Sequence, residues 1–352
     1  MSAPVDAETL FRQRAGERIL IFDGGYGTAI QRYGLTEADY RGSLDLEKDQ
    51  KGNNDLLCLT RPDIVKAIHS AYLDAGADMI ETNSFSGTRI AMADYGAEHL
   101  VRELNLAAAR LAREACDEAE AKDGLRRFVA GAIGPTNKTL SISPDVNDPA
   151  YREIDYDALK EQYREQCAAL IEGGVDFLLV ETCFDTLNAK AAGMAAREAE
   201  AAAGRKVPLM MSFTITDMSG RNLSGHTVAA FWYSLRHLKP LTIGVNCAFG
   251  ADLLRPYLGE LSKIADTLIL AYPNAGLPNE LGEYDELPER TAELIREWTN
   301  EKLVNMVGGC CGTTPAHIAA IARTVAGSSP RVAPHLPVVT RLAGLDPMTI
   351  AA

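Results

Sequence analysis

Eight short apolar runs, each followed by a stretch of helical periodicity, restrict what this chain can fold into more than any other feature. They occupy residues 19–23 (ILIFD), 79–83 (MIETN), 128–134 (FVAGAIG), 177–182 (FLLVET), 209–214 (LMMSFT), 242–247 (TIGVNC), 267–271 (TLILA) and 304–309 (VNMVGG). Their hydrophobicity is continuous rather than alternating, which suits parallel strands covered on both faces. The segments between them carry helix signals. Pro62 starts one in its first turn, and 91–122, 156–173, 186–204, 227–238, 252–265, 288–302 and 315–326 continue the alternation. Eight βα units predict an α/β chain folded as a single (β/α)8 TIM barrel over residues 1–327. Residues 328–352, with several prolines and no helical period, read as a C-terminal linker or a tail strapped across the barrel. A doubly wound open sheet is the competing architecture. Its phosphate fingerprint is missing, because Gly24-Gly25-Tyr26-Gly27 does not give GxGxxG.

In such a barrel the chemistry gathers at the C-terminal ends of the strands. Asp23, Glu81, Asn83, Glu181, Asn246, Cys247, Cys310 and Cys311 all fall at these ends. Two long insertions frame the same mouth. Residues 33–60, after the first strand, form a charged rim or lid, and 135–155, after the third, are polar and proline-punctuated, a setting in which substrate-covering loops occur.

The most specific chemical signal is Gly308-Gly309-Cys310-Cys311-Gly312-Thr313, two adjacent cysteines inside a glycine-rich turn. Adjacent cysteines make a strained disulfide. Two thiolates on one turn and a third, Cys247, from another strand end could hold one soft metal ion and leave a position open. Three thiolates make zinc a weak activator of water but a good partner for a substrate thiol. The expected chemistry is therefore alkyl transfer to sulfur rather than hydrolysis. Inert packing and a redox role remain the competing readings of the pair. Of the other cysteines, Cys116 and Cys167 sit in helical patterns as buried thiols. Cys58 has no evident partner, and Cys183 follows Glu181-Thr182 at a strand end.

With 352 residues, 47% hydrophobic and 24% charged, the chain has ample material for one large core. Its formal net charge of −13 argues against binding nucleic acid or an anionic membrane. No run approaches the ~18–20 apolar residues of a membrane span. The first eighteen residues lack the apolar core of a signal peptide, so a cytoplasmic setting is expected, in which thiols stay reduced.

At Asp23-Gly24-Gly25, Gly134-Pro135-Thr136-Asn137, Val180-Glu181-Thr182, Val245-Asn246-Cys247 and Gly308 to Thr313, the chain resembles the homocysteine S-methyltransferase family in order and spacing. The loop Ser141-Ile142-Ser143-Pro144-Asp145-Val146-Asn147-Asp148-Pro149 is similar to that of the homocysteine-binding module of cobalamin-dependent methionine synthases. The resemblance covers nearly the whole chain and implies a (β/α)8 barrel with Cys247, Cys310 and Cys311 as zinc ligands. It places Asp23 and Gly24 near the amino-acid end of homocysteine, Glu181 at its ammonium group and Asn246 beside the metal. The competing readings are a barrel-internal ion pair for Glu181 and a purely structural turn for Asp23.

The chain also departs from the synthase pattern. No Asp-x-His-x-x-Gly occurs, and none of His69, His99, His226, His237, His317 and His335 has the context of a cobalamin ligand, although His317 could line the zinc loop. Residues 341–347 resemble the linker leading into a folate module. The implied function is a zinc-dependent homocysteine-activating component of methionine synthase. Methylcobalamin would come as methyl donor from another module or chain that also carries folate. The alternatives are a self-sufficient methyltransferase using betaine or S-methylmethionine, or a homocysteine-binding subunit inactive alone.

Overall fold

The eight apolar runs become eight parallel strands of one closed sheet. A computed structural model describes residues 6–350. The strands are β1 (Leu20–Ile21), β2 (Met79–Glu81), β3 (Phe128–Ile133), β4 (Phe177–Cys183), β5 (Leu209–Phe213), β6 (Thr242–Asn246), β7 (Leu268–Tyr272) and β8 (Met306–Val307). They are hydrogen-bonded in the order β1-β8-β7-β6-β5-β4-β3-β2. A parallel bridge between Phe22 and Met79 closes the ring. This is the (β/α)8 barrel expected from the sequence, and closure excludes the open doubly wound sheet.

Side-chain alternation explains why the runs are apolar throughout. In β3, Phe128 and Ala130 point into the barrel while Val129 and Ile133 pack against the outer helices. In β4, Phe177 and Leu179 are inside and Leu178 and Val180 outside. Both faces are buried, so neither position is polar. The N-terminal helix Ala7–Glu17 plugs one end of the barrel. Its Phe11 ring meets those of Phe128 and Phe177 at centroid distances of 5.7 and 5.3 Å. The opposite end is left for chemistry.

Local signals fix the surrounding helices. Asp155 caps Tyr156–Gly173 by accepting from Ala158 N, Asp185 caps Thr186–Ala203, and Thr227 caps Val228–Leu235. Gly174 and Gly204 end the first two in the left-handed conformation. The single helix expected over 91–122 is instead divided. A short helix Arg89–Met92 gives way to two 3-10 turns, and only Val101–Asp123 is continuous. Gly96, at φ 66°, makes the break that the surrounding helix formers concealed.

Residues 328–339 run across the outside of the barrel. Buried Arg331 donates to the carbonyls of Ser262 and Thr267 at 2.8 Å each, and its own carbonyl accepts from Asn305 at 2.7 Å. Beyond it, β9 (Thr340–Ala343) and β10 (Pro347–Ile350) form an antiparallel hairpin, regular structure that the absence of a helical period did not reveal. It is tied down by Thr227 N donating to Leu345 O at 3.1 Å and by an Arg221–Asp346 ion pair at 2.9 Å.

Closure between β1 and β2 rests on few ladder bonds, and Asp78 supplements them. Its N–H donates to Ile21 O at 2.8 Å. Its carboxylate accepts from Ile21 N at 2.9 Å and Arg18 Nη1 at 2.8 Å. Asp78→Ala should destabilise the chain by about 2–4 kcal/mol, because it strands the Ile21 N–H and a half-buried guanidinium. Urea unfolding measures this, and a loss below about 0.5 kcal/mol would mean that closure does not depend on the Asp78 bracket.

Candidate metal centre and its acidic pocket

The three cysteines expected from the sequence come together at the open end. The Sγ atoms of Cys247, Cys310 and Cys311 all lie within 4.8 Å of one another, with Cys247 and Cys311 at 3.9 Å. Tetrahedral zinc–sulfur bonds of about 2.3 Å require sulfurs about 3.8 Å apart, so the donor set fits zinc. Among the described residues this is the only cluster of three or more His, Cys, Asp or Glu side chains arranged for a metal. It offers three protein ligands and an open direction.

Neighbouring loops hold the turn in place. Gly309 N donates to Asp23 O at 2.8 Å, Cys310 N to Pro273 O at 2.7 Å and Cys311 N to Asn274 Oδ1 at 3.1 Å. Thr313 Oγ1 donates to Cys310 O at 2.6 Å and accepts from Gly25 N at 3.1 Å. A Cβ on Gly25 would lie 2.5 Å from Cys310 O, so only glycine permits this approach. On the other side, Cys247 and Ala248 both adopt left-handed backbone, φ 59° and 61°, a strained pair that turns the Cys247 thiol towards the other two. Hydrogen bonds from Cys310 and Cys311 pull the Cys247 thiol down to about 3, and the same sharing pushes Cys310 up and Cys311 to about 11.

The cluster opens into a cavity of about 270 Å³. Gly24, Gly25, Tyr26, Asp55, Glu81, Phe85, Tyr95, Glu181 and Tyr272 line it with the cysteines, and no lysine or arginine does. Burial raises every carboxyl around it: Asp55 to about 7, Glu181 to about 7, and Glu81 and Asp23 well above their ordinary values. Glu181 Oε2 accepts from Tyr272 OH at 3.2 Å, and Asp55 Oδ2 accepts from Ser86 N at 2.6 Å. Asp23 Oδ1, Glu81 Oε2 and Glu181 Oε1 are buried acceptors with no donor. A pocket of orphaned carboxyl oxygens without basic residues suits a ligand that brings its own N–H donors and positive charge.

Strand periodicity places these acids. Leu179 points inward, so Glu181 does too, and Met79 does the same for Glu81. Between Val180 and Cys183 the register with β5 slips at a bulge, where Thr182 has φ 53°. Asn246 pins that bulge. Its Oδ1 accepts from Thr182 N at 3.1 Å and Ser212 OH at 2.6 Å, and its Nδ2 donates to Thr182 Oγ1 at 2.8 Å. The same Nδ2 lies 4.0 Å from Cys310 Sγ.

Of the residues singled out in the sequence, Cys247, Cys310, Cys311, Glu181 and Gly24 line the cavity. Asp23 and Asn246 are fully buried behind its wall, Asp23 accepting from Glu81 N at 2.8 Å. Glu81 stood among the strand-end residues but carried no assigned role, although its two-residue spacing from inward Met79 is a readable signal. Asp55 and the aromatic wall had none. The insertion after β1 does form a rim, supplying Gly52 to Asp55, whereas 135–155 gives nothing to the lining. That loop is fastened aside, Ser141 N donating to Asp185 at 2.9 Å. Cys58, Cys116, Cys167 and Cys183 are buried away from the cluster, their thiols pushed up by burial. His317 caps the helix Pro315–Val325 with Thr314 and reaches Glu286 O at 2.9 Å. A wider cleft of about 710 Å³, beside β9, is lined by Arg12, Arg236, Lys239 and Arg341 and contains none of the thiols.

Comparison with known proteins agrees with the fold. The family model described as homocysteine S-methyltransferase matches residues 20–325. The homocysteine methyltransferase MmuM from Escherichia coli, in its metallated form, aligns with a TM-score of 0.69 at 23% identity, covering 87% of this chain and 96% of that one. Its oxidised form gives 0.67 at 23% identity, over 87% and 95%, and its apo form 0.63 at 22%, over 87% and 96%.

Asp55 provides a test of the pocket's electrostatics. Its raised folded-state value means that the native chain binds more protons than the unfolded chain between about pH 4 and 7, so stability falls as pH rises through that window. Asp55→Asn should remove this slope. The metal-free variant should be on the order of 2–4 kcal/mol more stable than the parent at pH 8 and equal to it near pH 4. Denaturant unfolding at the two pH values measures it, and an Asn variant less stable at pH 8 would refute the account.

Proposed function

The chain belongs to the homocysteine S-methyltransferase family, and on that premise we propose that it is the homocysteine-activating component of a cobalamin-dependent methionine synthase. The observation that carries the reading is the opening of the three-thiol cluster into the same small cavity as the donorless acids Glu81 and Glu181. The two ends of homocysteine, a thiol and an α-ammonium, match those two features.

Cys247, Cys310 and Cys311 would hold zinc, which would keep the substrate sulfur as a thiolate at neutral pH, where a free thiol is only a few per cent ionised. The remaining work falls to the chain. Glu181, aimed by the bulge and steadied by Tyr272, accepts from the ammonium group. Gly24 lines the cavity at the proposed amino-acid end and packs against Tyr72, where a Cβ would lie 2.7 Å from the ring. Asp23 holds the Glu81 backbone, and Asn246 holds the bulge that carries Glu181. Tyr26, Phe85 and Tyr95 give the cavity an aromatic wall, which would limit water around the bound thiol and help to hold it in one orientation.

Methylcobalamin, expected on another module or chain with folate, is the proposed methyl donor. The support is the Ser141–Pro149 loop and its similarity to methionine synthases. A cytoplasmic setting fits the reduced thiols that the site needs. A second reading, a self-sufficient enzyme with a cationic methyl donor, is favoured by Asp55 and the aromatic residues of the cavity wall.

Cys310→Ala should abolish zinc retention and homocysteine binding and leave the circular-dichroism spectrum of a folded barrel. A variant that kept zinc and homocysteine would remove the basis of the reading. With the parent chain, methionine formed from homocysteine and methylcobalamin supports the synthase role. Turnover with betaine or S-methylmethionine alone would decide for the second reading.

A further inference from the structure

The cleft of about 710 Å³ beside β9 has a charge opposite to that of the chain. Pro240 and Thr267 line it just ahead of β6 and β7, which puts it at the end of the barrel away from the thiols. Arg12, Arg236, Lys239 and Arg341 face it with a single acid, Asp266, although the formal net charge is −13. Asp266 is already engaged, accepting from Arg236 Nε at 3.0 Å. Arg12 Nε pairs with Glu8 at 2.7 Å and keeps its outer nitrogens free. Lys239 and Arg341 have no carboxylate partner among the described residues. Arg341 donates to a carbonyl, Pro337 O at 3.1 Å, and its guanidinium lies 5.8 Å from the centre of the Tyr233 ring. Elsewhere on the surface arginines face acids, as Arg102 faces Glu172 at 2.6 Å and Arg255 faces Glu297 at 2.7 Å. Four cations gathered in one concavity repel one another, and its walls weaken the screening by water. A bound anion relieves that repulsion.

We propose that this cleft is a second binding site, for a compact polyphosphate, either inorganic or carried on a nucleoside. Arginine forks match phosphate oxygens in pairs, and lysine adds a point charge. The volume is that of a site for a ligand well beyond a single phosphate. The two unpaired cations and the free nitrogens of Arg12 suit more than one phosphate group. The site also joins separate parts of the chain. Arg341 comes from the tail, Lys239 from the turn before β6, and Arg12 from the N-terminal helix. A polyphosphate spanning them ties β9 to the barrel. The proposal does not depend on the homocysteine reading.

The test is calorimetric titration of the zinc-loaded full chain with tripolyphosphate, ATP and citrate, without magnesium and at low salt. Zinc content is measured afterwards, because polyphosphates also chelate metal. Tripolyphosphate should bind at one site per chain, about tenfold or more tighter than citrate, and weaken as salt rises. Arg341→Gln and Lys239→Gln should each weaken it by about tenfold. Arg255→Gln, a surface arginine outside the cleft, should leave it unchanged. ATP bound as tightly as tripolyphosphate assigns recognition to the phosphates alone, and tighter ATP binding assigns the ligand to a nucleoside carrier. Saturating tripolyphosphate should also slow tryptic cleavage after Arg341, and an unchanged rate would show that no ligand ties β9 down. The proposal is overturned if none of the anions binds, if citrate matches tripolyphosphate, or if Arg255→Gln weakens binding as much as the two cleft variants. Circular dichroism and unfolding midpoints identify a variant with altered structure. Should Arg341→Gln release the tail, Lys239→Gln, on the barrel itself, decides.

Discussion

Closure of the sheet is the constraint on which the rest of the molecule depends. β1 contributes two ladder residues to β8 and one bridge to β2, yet through them the barrel loses its edges. Closure also brings Asp23 and Gly25 against Gly309 and Thr313, across 288 residues of sequence in the case of Gly25 and Thr313. Tyr72 clamps the junction, its single hydroxyl proton shared between Gly25 O at 3.1 Å and Thr313 O at 3.2 Å. Without that seam the Cys310-Cys311 turn would have no wall to lean on and Cys247 no partners. Helix Ala7–Glu17 seals the other end, so access is confined to the end where the thiols lie.

The site so formed is costly to the empty chain. Four carboxyls are raised by burial around one small cavity, and three residues near it, Thr182, Cys247 and Ala248, sit in left-handed backbone that non-glycine residues seldom adopt. Each feature is unfavourable alone. Together they shape a site suited to positive charge, in which a soft cation on the sulfurs and an ammonium group on the acids would each relieve part of the burden. Ligand binding and stability are therefore linked, as expected wherever only the native state binds. The hydrogen-bond duties of Asn246 and Asp23 belong to the same economy, since both act on backbone next to an acid rather than on the cavity.

Much of this was legible in the chain before its structure. The eight strands followed from local composition, because a strand buried on both faces needs apolar residues at every position. The thiol triad followed from adjacent cysteines in a glycine turn and a third at another strand end. Other features were not local. The break at Gly96 was masked by helix formers on both sides, and the β9–β10 hairpin lies in a tail with no helical period. Glu81 was half-visible as a strand end. Asp55 was invisible, since the path of the insertion that carries it is set by packing and not by any repeating pattern.

The sequence by itself thus determined the class of fold, the end of the barrel at which the three thiols meet and the identity of those thiols. These depend on periodicity and residue type, which short stretches of chain already contain. Only the tertiary structure decided which acids share a cavity, that Asp23 and Asn246 stand behind its wall, and that no basic residue lines it. The reason is physical. A carboxyl's charge, its partners and its exposure are properties of its neighbours, and here those neighbours come from strands and loops that meet only when the barrel closes.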